Sequence, residues 1–293
     1  ESQRSFLFIA LMVVTYLLYT QWQLDNTPVV EQPIYSQTME MDADTTGDFI
    51  PESSDSPVPI IKSTVSNAQL ITVNTEVLSL KINTQGGDIV EANLLAYETE
   101  IGNDIPFTIM QNGQNRYIAQ SGLTGANGLD RIIKGRPIYS TSAMAYETSN
   151  SNEPVVVDLT YVTTDGLVVT KRFTFNHSSY SVNVEYIVKN NTASSVSMQL
   201  YAQLKQSTNV DTSSGLIPTY RGAAYSTSEE RYEKYDFEDI QDKALNISTP
   251  GGWVAMLEHY FVSAWVPNAS DNNQLYTSYT SNKDAVIGFK APV

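Results

Sequence analysis

Apolar and polar positions change rhythm twice along this chain. From Phe6 to Leu24 the residues are almost continuously apolar, with no charge and only Thr15, Thr20, Gln21 and Gln23 clearly polar. As a helix rising ~1.5 Å per residue this span reaches roughly 28 Å, close to the ~30 Å hydrocarbon core of a bilayer. A secretory core is shorter, about 7–15 residues, and ends in a small-x-small cleavage site. Here the run ends in the bulky Tyr19, Gln21, Trp22 and Gln23. The pattern predicts an uncleaved transmembrane anchor over 1–24, carried by residues such as Phe6, Leu11, Val14, Leu18 and Trp22, with Tyr16, Tyr19 and Trp22 placed as an interfacial aromatic belt. Arg4 precedes the helix and the next basic residue is Lys62, which predicts a cytoplasmic N-terminus and an external remainder.

After Lys62 the period becomes two. Leu78, Leu80 and Ile82 alternate with Ser79 and Lys81 before a break at Gln85-Gly86-Gly87-Asp88. In VVVDLTYVTTDGLVVTKRFTF, Val155, Val157, Leu159 and Tyr161 share one face, and Asp165-Gly166 between alternating runs signals a hairpin. On the return strand Leu167, Val169, Phe173 and Phe175 share their parity with one discordant member, Lys171. Tyr180, Val182, Val184 and Tyr186 follow in the same rhythm, then Val196, Met198, Leu200 and Ala202. No segment after the anchor sustains a 3.6-residue period. Many short strands joined by Gly, Asn and Ser turns predict an antiparallel β-sandwich over 63–293.

Between these regions, residues 25–62 carry eight acidic side chains and five prolines, with no basic residue before Lys62. Such a stretch buries too little apolar surface to offset its ordering entropy. We read it as a disordered acidic spacer rather than a docking tail. Up to Ile61 it accounts for eight of the net fifteen negative charges among 293 residues. A chain this acidic is not a nucleic-acid binder, because phosphate contact needs a basic patch. The chain has no cysteine, which removes disulfides, thiolate chemistry and cysteine metal sites.

Candidate chemistry is sparse. The two histidines, His177 and His259, each lack an obvious partner: His177 has no carboxylate nearby in sequence, and adjacent residues Glu258 and His259 would face opposite sides of a strand. The glycine-rich SGLTGANG lacks the spacing of a phosphate loop, and Asp271-Asn272-Asn273 falls short of a calcium loop. The sequence therefore predicts no catalytic, metal or cofactor site. One stretch, RGAAYSTSEERYEKYDFEDI, interleaves charge with Tyr232, Tyr235 and Phe237. Its aromatics either pack inward or form a partner-contact rim.

The same stretch closely resembles a segment of the YidC family of bacterial membrane protein insertases, in their Gram-negative long form. ESQRSFLFIALMVVTYLLYTQW resembles that family's first transmembrane helix. INTQGGDIVEANLLAY, QSGLTG, RGAAYST, YEKYDF, LNISTPGGWVAMLEHYFVSAWVP and IGFKAPV follow in the family's order. The resemblance spans the chain, weakly across the acidic spacer. It implies a large periplasmic β-supersandwich, similar in fold to galactose-mutarotase-like carbohydrate-binding domains, and an inner-membrane location. It also implies a five-helix insertase bundle beyond Val293, whose groove arginine has no counterpart in this sequence. The implied function is non-enzymatic assistance to insertion and folding of inner-membrane proteins, with or without the Sec translocon. The implied partners are nascent membrane proteins, the translocon with its accessory subunits, and the lipid bilayer. A mutarotase-like or carbohydrate-binding module is the alternative, and it requires a general acid and base in one cleft.

Overall fold

The computed structural model describes Met12 and residues 49–52, 68–132, 135–148, 153–209, 220–258 and 260–293. The chain divides into two units, Glu1–Ala43 and Asp44–Val293. In the first, Met12 is helical and exposed, while Phe6, Leu11, Val14, Leu18 and Trp22 of the expected anchor lie outside the described residues. Among the described residues no helix is long and apolar enough to cross a membrane.

The second unit is built from strands. The first six are β1 (Leu70–Asn74), β2 (Leu78–Asn83), β3 (Asp88–Glu98), β4 (Pro106–Met110), β5 (Tyr117–Thr124) and β6 (Ala145–Glu147). Then come β7 (Val155–Val162), β8 (Leu167–Phe175), β9 (Val182–Asn190), β10 (Gln199–Ser207), β11 (Arg221–Ser226) and β12 (Glu233–Tyr235). The chain ends with β13 (Asn246–Pro250), β14 (Trp253–Glu258), β15 (Phe261–Trp265), β16 (Asn272–Tyr279) and β17 (Asp284–Lys290). Two short helices, Leu129–Ile132 and Phe237–Asp242, interrupt them. Asp236 caps the second through a reciprocal capping box with Asp239, the arrangement that satisfies two orphan donors at a helix start.

Ten strands form one sheet in the order β13-β16-β17-β10-β5-β3-β2-β1-β6, with β4 also paired to β3. Its described pairings are antiparallel except β1 with β6. A four-stranded sheet, β12-β11-β14-β15, and a three-stranded sheet, β7-β8-β9, lie over one face of it. The expected alternation holds in detail. Val157, Leu159, Val169, Phe173 and Phe175 are buried inward residues of the β7–β8 hairpin, and Gly166, at φ +100°, makes its turn.

Alternation also explains the two faces of the large sheet. On β10, Leu200, Ala202 and Leu204 face the small sheets, while Tyr201, Gln203 and Lys205 face the other way. That far side is polar yet buried, and Phe49–Glu52 lies on it. Gln203 Nε2 donates to the Phe49 carbonyl at 2.9 Å, and Lys290 Nζ to the Glu52 carbonyl at 2.9 Å. The Phe49 ring tilts against Tyr276, with centroids 6.3 Å apart, and Pro51 is buried. These residues fall inside the stretch read as acidic spacer. Apolar Phe49 and Pro51 give this short piece a surface to bury, which the acidic composition around them obscures.

Candidate functional site

A concavity follows from the split upper layer. β9 is the edge of the three-stranded sheet and β15 the edge of the four-stranded one. Both line a groove of about 810 Å³ whose floor is the large sheet, from Leu80, Ile89 and Ala92 through Ala119 to Ala202 and Leu204. The inward residues of the two edges, Val182, Val184 and Tyr186 on β9 and Phe261, Ser263 and Trp265 on β15, are only half-buried. Their counterparts one strand further in, Phe173 and Phe175 on β8 and Val254 and Met256 on β14, are fully buried. Each edge is therefore short of the neighbour that a continuous layer would supply.

One end of the groove is closed by rings. Tyr97 of β3 lies 6.2 Å from Tyr180, just before β9, and edge-on to Phe261 of β15 at 5.3 Å. Phe261 in turn stacks on Phe107 at 4.4 Å, and aromatic pairs of this geometry add about 0.5–1.5 kcal/mol beyond their burial. At the opposite end stand Asp271 and Asn273. Asn273 Nδ2 donates to the carbonyls of Gly251, Asn268 and Asp271, which fixes the amide orientation. Its Oδ1 is buried without a hydrogen-bond partner. Among the described lining residues Asp271 is the one charged group.

Beside the groove floor runs a buried charge cluster. Arg136 pairs with Asp88, and its Nε lies 2.6 Å from Asp130 Oδ1. Arg136 also donates to the Ser121 carbonyl at 2.9 Å, and Asp130 Oδ2 accepts the Leu123 amide at 2.8 Å. Lys171 Nζ donates to the carbonyls of Gly86 and Ser121, each at 3.1 Å. With Lys171 protonated, two carboxylates and two cations give no net charge, the condition under which buried ions are tolerated. Burial holds the Lys171 ammonium down to about 7, with Asp88 pulling the other way. Gly86 (φ +73°) and Gly87 (φ +65°) shape the turn. A Cβ on Gly86 would strike the Arg136 guanidinium, and one on Gly87 would sit 2.9 Å from Lys171 Cδ. This is the structural reason for the discordant lysine on β8 and for the Gly-Gly pair. The cluster ties the layers together by contacts to backbone and to itself.

The remaining candidates separate. Tyr235 packs against the core, and its hydroxyl donates to the Lys243 carbonyl at 2.6 Å. Phe237 also packs inward, with the Arg221 guanidinium 5.4 Å over its ring. Tyr232 stays half exposed beside Trp253. Glu258 is held by Gln206 at 3.2 Å and by Arg221 at 3.4 Å. His177 does have a carboxylate partner: Glu76 lies 3.4 Å from its Nε2. Sequence distance hid the pair, which meets at a turn rather than in the groove lining. His259 lies outside the described residues. Among the described residues no group of three or more His, Cys, Asp or Glu side chains could hold a metal ion.

Comparison with known proteins agrees with the sequence resemblance. The family model described as "YidC periplasmic domain" matches residues 70–293. A protein named "Membrane protein insertase YidC" from Pseudoalteromonas atlantica is 45% identical over 298 residues, covering 99% of this chain and 53% of the relative. Relatives of the same name from Shewanella woodyi and Aeromonas hydrophila are each 42% identical, covering 100% of this chain and 54% of their own length. The chain thus spans about half the length of the curated relatives it matches. It belongs to the YidC periplasmic domain family.

Proposed function

We propose that this chain is the periplasmic contact module of an inner-membrane protein insertase. Residues 1–24 serve as the anchor with a cytoplasmic N-terminus, 25–62 mainly as spacer, and 63–293 as the module. It assists by binding rather than by catalysis. Its partners are nascent membrane proteins, the lipid bilayer through the anchor, and the Sec translocon with its accessory subunits, for which Tyr232 is the exposed remnant of the aromatic rim. A ten-stranded sheet covered by two smaller ones fits a β-supersandwich.

The observation that carries this reading is the apolar groove between β9 and β15, in a chain belonging to the YidC periplasmic domain family. An apolar concavity with few polar groups is the usual form of a binding site. It suits a client segment passing through an unfolded, apolar state. A sugar-converting site would instead want an acid and a base in the cleft, and the described lining offers Asp271 with no histidine.

The test is site-specific photo-crosslinking during insertion of a radiolabelled inner-membrane protein. A benzophenone side chain at Val184, an inward position of β9 in the groove lining, should capture the nascent chain. The same probe at Val156, exposed on β7 away from the groove, should not. Equal capture at both positions, or none at either, would remove the groove from the function.

A further inference from the structure

The two groove walls have a defined relative direction. β15 begins at Phe261 and β9 follows directly after Tyr180, and both residues meet Tyr97 at the same end of the groove. β9 and β15 therefore run the same way, each with its outer edge unpaired among the described strands. The upper layer is a sheet interrupted by a gap, with a ready floor beneath.

We propose that the groove accepts one extended polypeptide segment as an added strand, antiparallel to β9 and β15 together, with a basic residue near its N-terminal end. Three observations select this occupant. An acyl chain would satisfy the apolar floor and nothing else, whereas the strand edges present main-chain donors and acceptors that only another backbone matches in register. Because the two edges run the same way, a strand of opposite direction forms the more stable antiparallel ladder with either of them. Its apolar side chains at alternate positions point to the floor, and its other side chains point to solvent.

Charge fixes the remaining choice. The N-terminal end of such a strand lies where β15 ends, beside the Asp271 carboxylate and the unpartnered Oδ1 of Asn273. Both are acceptors, and together they suit an ammonium or guanidinium. This specificity rests on the contact role proposed above, but concerns how the groove reads its occupant.

The absence of native cysteine makes single cysteines unique reporters. Val184→Cys and Ser263→Cys place thiols at inward positions of the two groove walls, and Val156→Cys places a control elsewhere. The 293-residue chain, held in lipid nanodiscs, is titrated with a synthetic peptide of about ten residues alternating valine and threonine after an N-terminal lysine. Maleimide labelling of Val184→Cys and Ser263→Cys should slow saturably and together, while Val156→Cys is unaffected. Methylating alternate backbone amides keeps every side chain and removes donors, so it should weaken protection by at least about tenfold. Replacing the lysine by glutamate should weaken it at low salt. Equal protection by the methylated peptide, or protection by lauric acid and not by peptide, overturns strand addition. Both results would still leave client capture at Val184 intact in the crosslinking experiment, so the two ideas fail separately.

Discussion

Lys171 Nζ donates to the Gly86 carbonyl at 3.1 Å, tying the middle strand of the three-stranded sheet to the Gly-Gly turn of the ten-stranded one. The contact places a cation in the interior, 1% exposed, where a strand face otherwise supplies valine, leucine and phenylalanine. Its consequences reach stability, pH response and the tolerance of nearby glycines.

Stability should rise with pH through the mildly alkaline range. In the fold the Lys171 ammonium is held down to about 7 by burial, whereas a free lysine titrates near ~10.4. Between these values the unfolded chain binds the extra proton, so unfolding becomes harder as pH increases, by at most ~1.4 kcal/mol per unit. Below pH ~7 both states are protonated and this contribution is flat. Above pH ~10 the buried Tyr186 and Tyr276, whose hydroxyls burial pushes up, act in the opposite direction. Urea unfolding from pH 6 to 10 should show the rise in the native chain and lose it in Lys171→Met. That variant should also be about 1–3 kcal/mol less stable near neutrality, because the Gly86 and Ser121 carbonyls each keep only the Arg136 guanidinium as donor and the two buried carboxylates keep one cation. A flat native profile would contradict the assignment.

Gly86 and Gly102 share a left-handed backbone, φ +73° and +84°, but not a neighbourhood. A Cβ at Gly102 meets nothing within 4 Å, while one at Gly86 meets the Arg136 guanidinium. Gly102→Ala should cost only the backbone strain, about 1–2 kcal/mol. Gly86→Ala should cost that and a displaced buried ion pair, in total about 4 kcal/mol or more. Thermal unfolding of the two variants checks the ordering, and equal losses would show that the charge cluster yields freely.

The acidic stretch should divide functionally at Phe49. Removing residues 31–47 takes away little apolar surface and should leave the melting temperature unchanged. Extending the deletion to residue 55 also removes Phe49 and Pro51 from the polar face of the large sheet. That deletion should lower the melting temperature by several degrees, on the order of 1–2 kcal/mol for a domain this size. Indistinguishable melting of the two deletions would mean the Phe49–Glu52 contacts contribute nothing.

Local patterns carried much of this architecture. The Asp165-Gly166 hairpin, the parity of Val182, Val184 and Tyr186, and the break at Gln85-Gly86-Gly87-Asp88 after the strand Leu78–Asn83 are statements about neighbours in sequence, and the backbone obeys them. Lys171 was visible as an exception to its strand, yet its partners Gly86 and Ser121 come from other strands, so its purpose was not. The same applies to His177 with Glu76, and to the inward packing of Tyr235 and Phe237, which depends on Lys243 and Arg221. The groove was illegible for a stronger reason: it is a gap between two sheet edges, and no residue pattern encodes a strand that is missing. Phe49 and Pro51 were hidden by the charge around them, since average composition conceals two good contacts.

On the contact role proposed above, residues 1–293 serve insertion by contact and do not perform it. Moving a charged residue through hydrocarbon costs about 2.5–3.5 kcal/mol even on translocon-based scales, and lowering that cost requires a polar path inside the bilayer. The groove is apolar and lies in a β-sheet unit, and among its described lining residues Asp271 is the one charged group. The decisive measurement is complementation: deplete a cell of its full-length insertase, express residues 1–293, and confirm by protease resistance that the β unit is folded. The account predicts no recovery of growth or of membrane protein insertion. Recovery of both would contradict it and would place insertion activity within these residues.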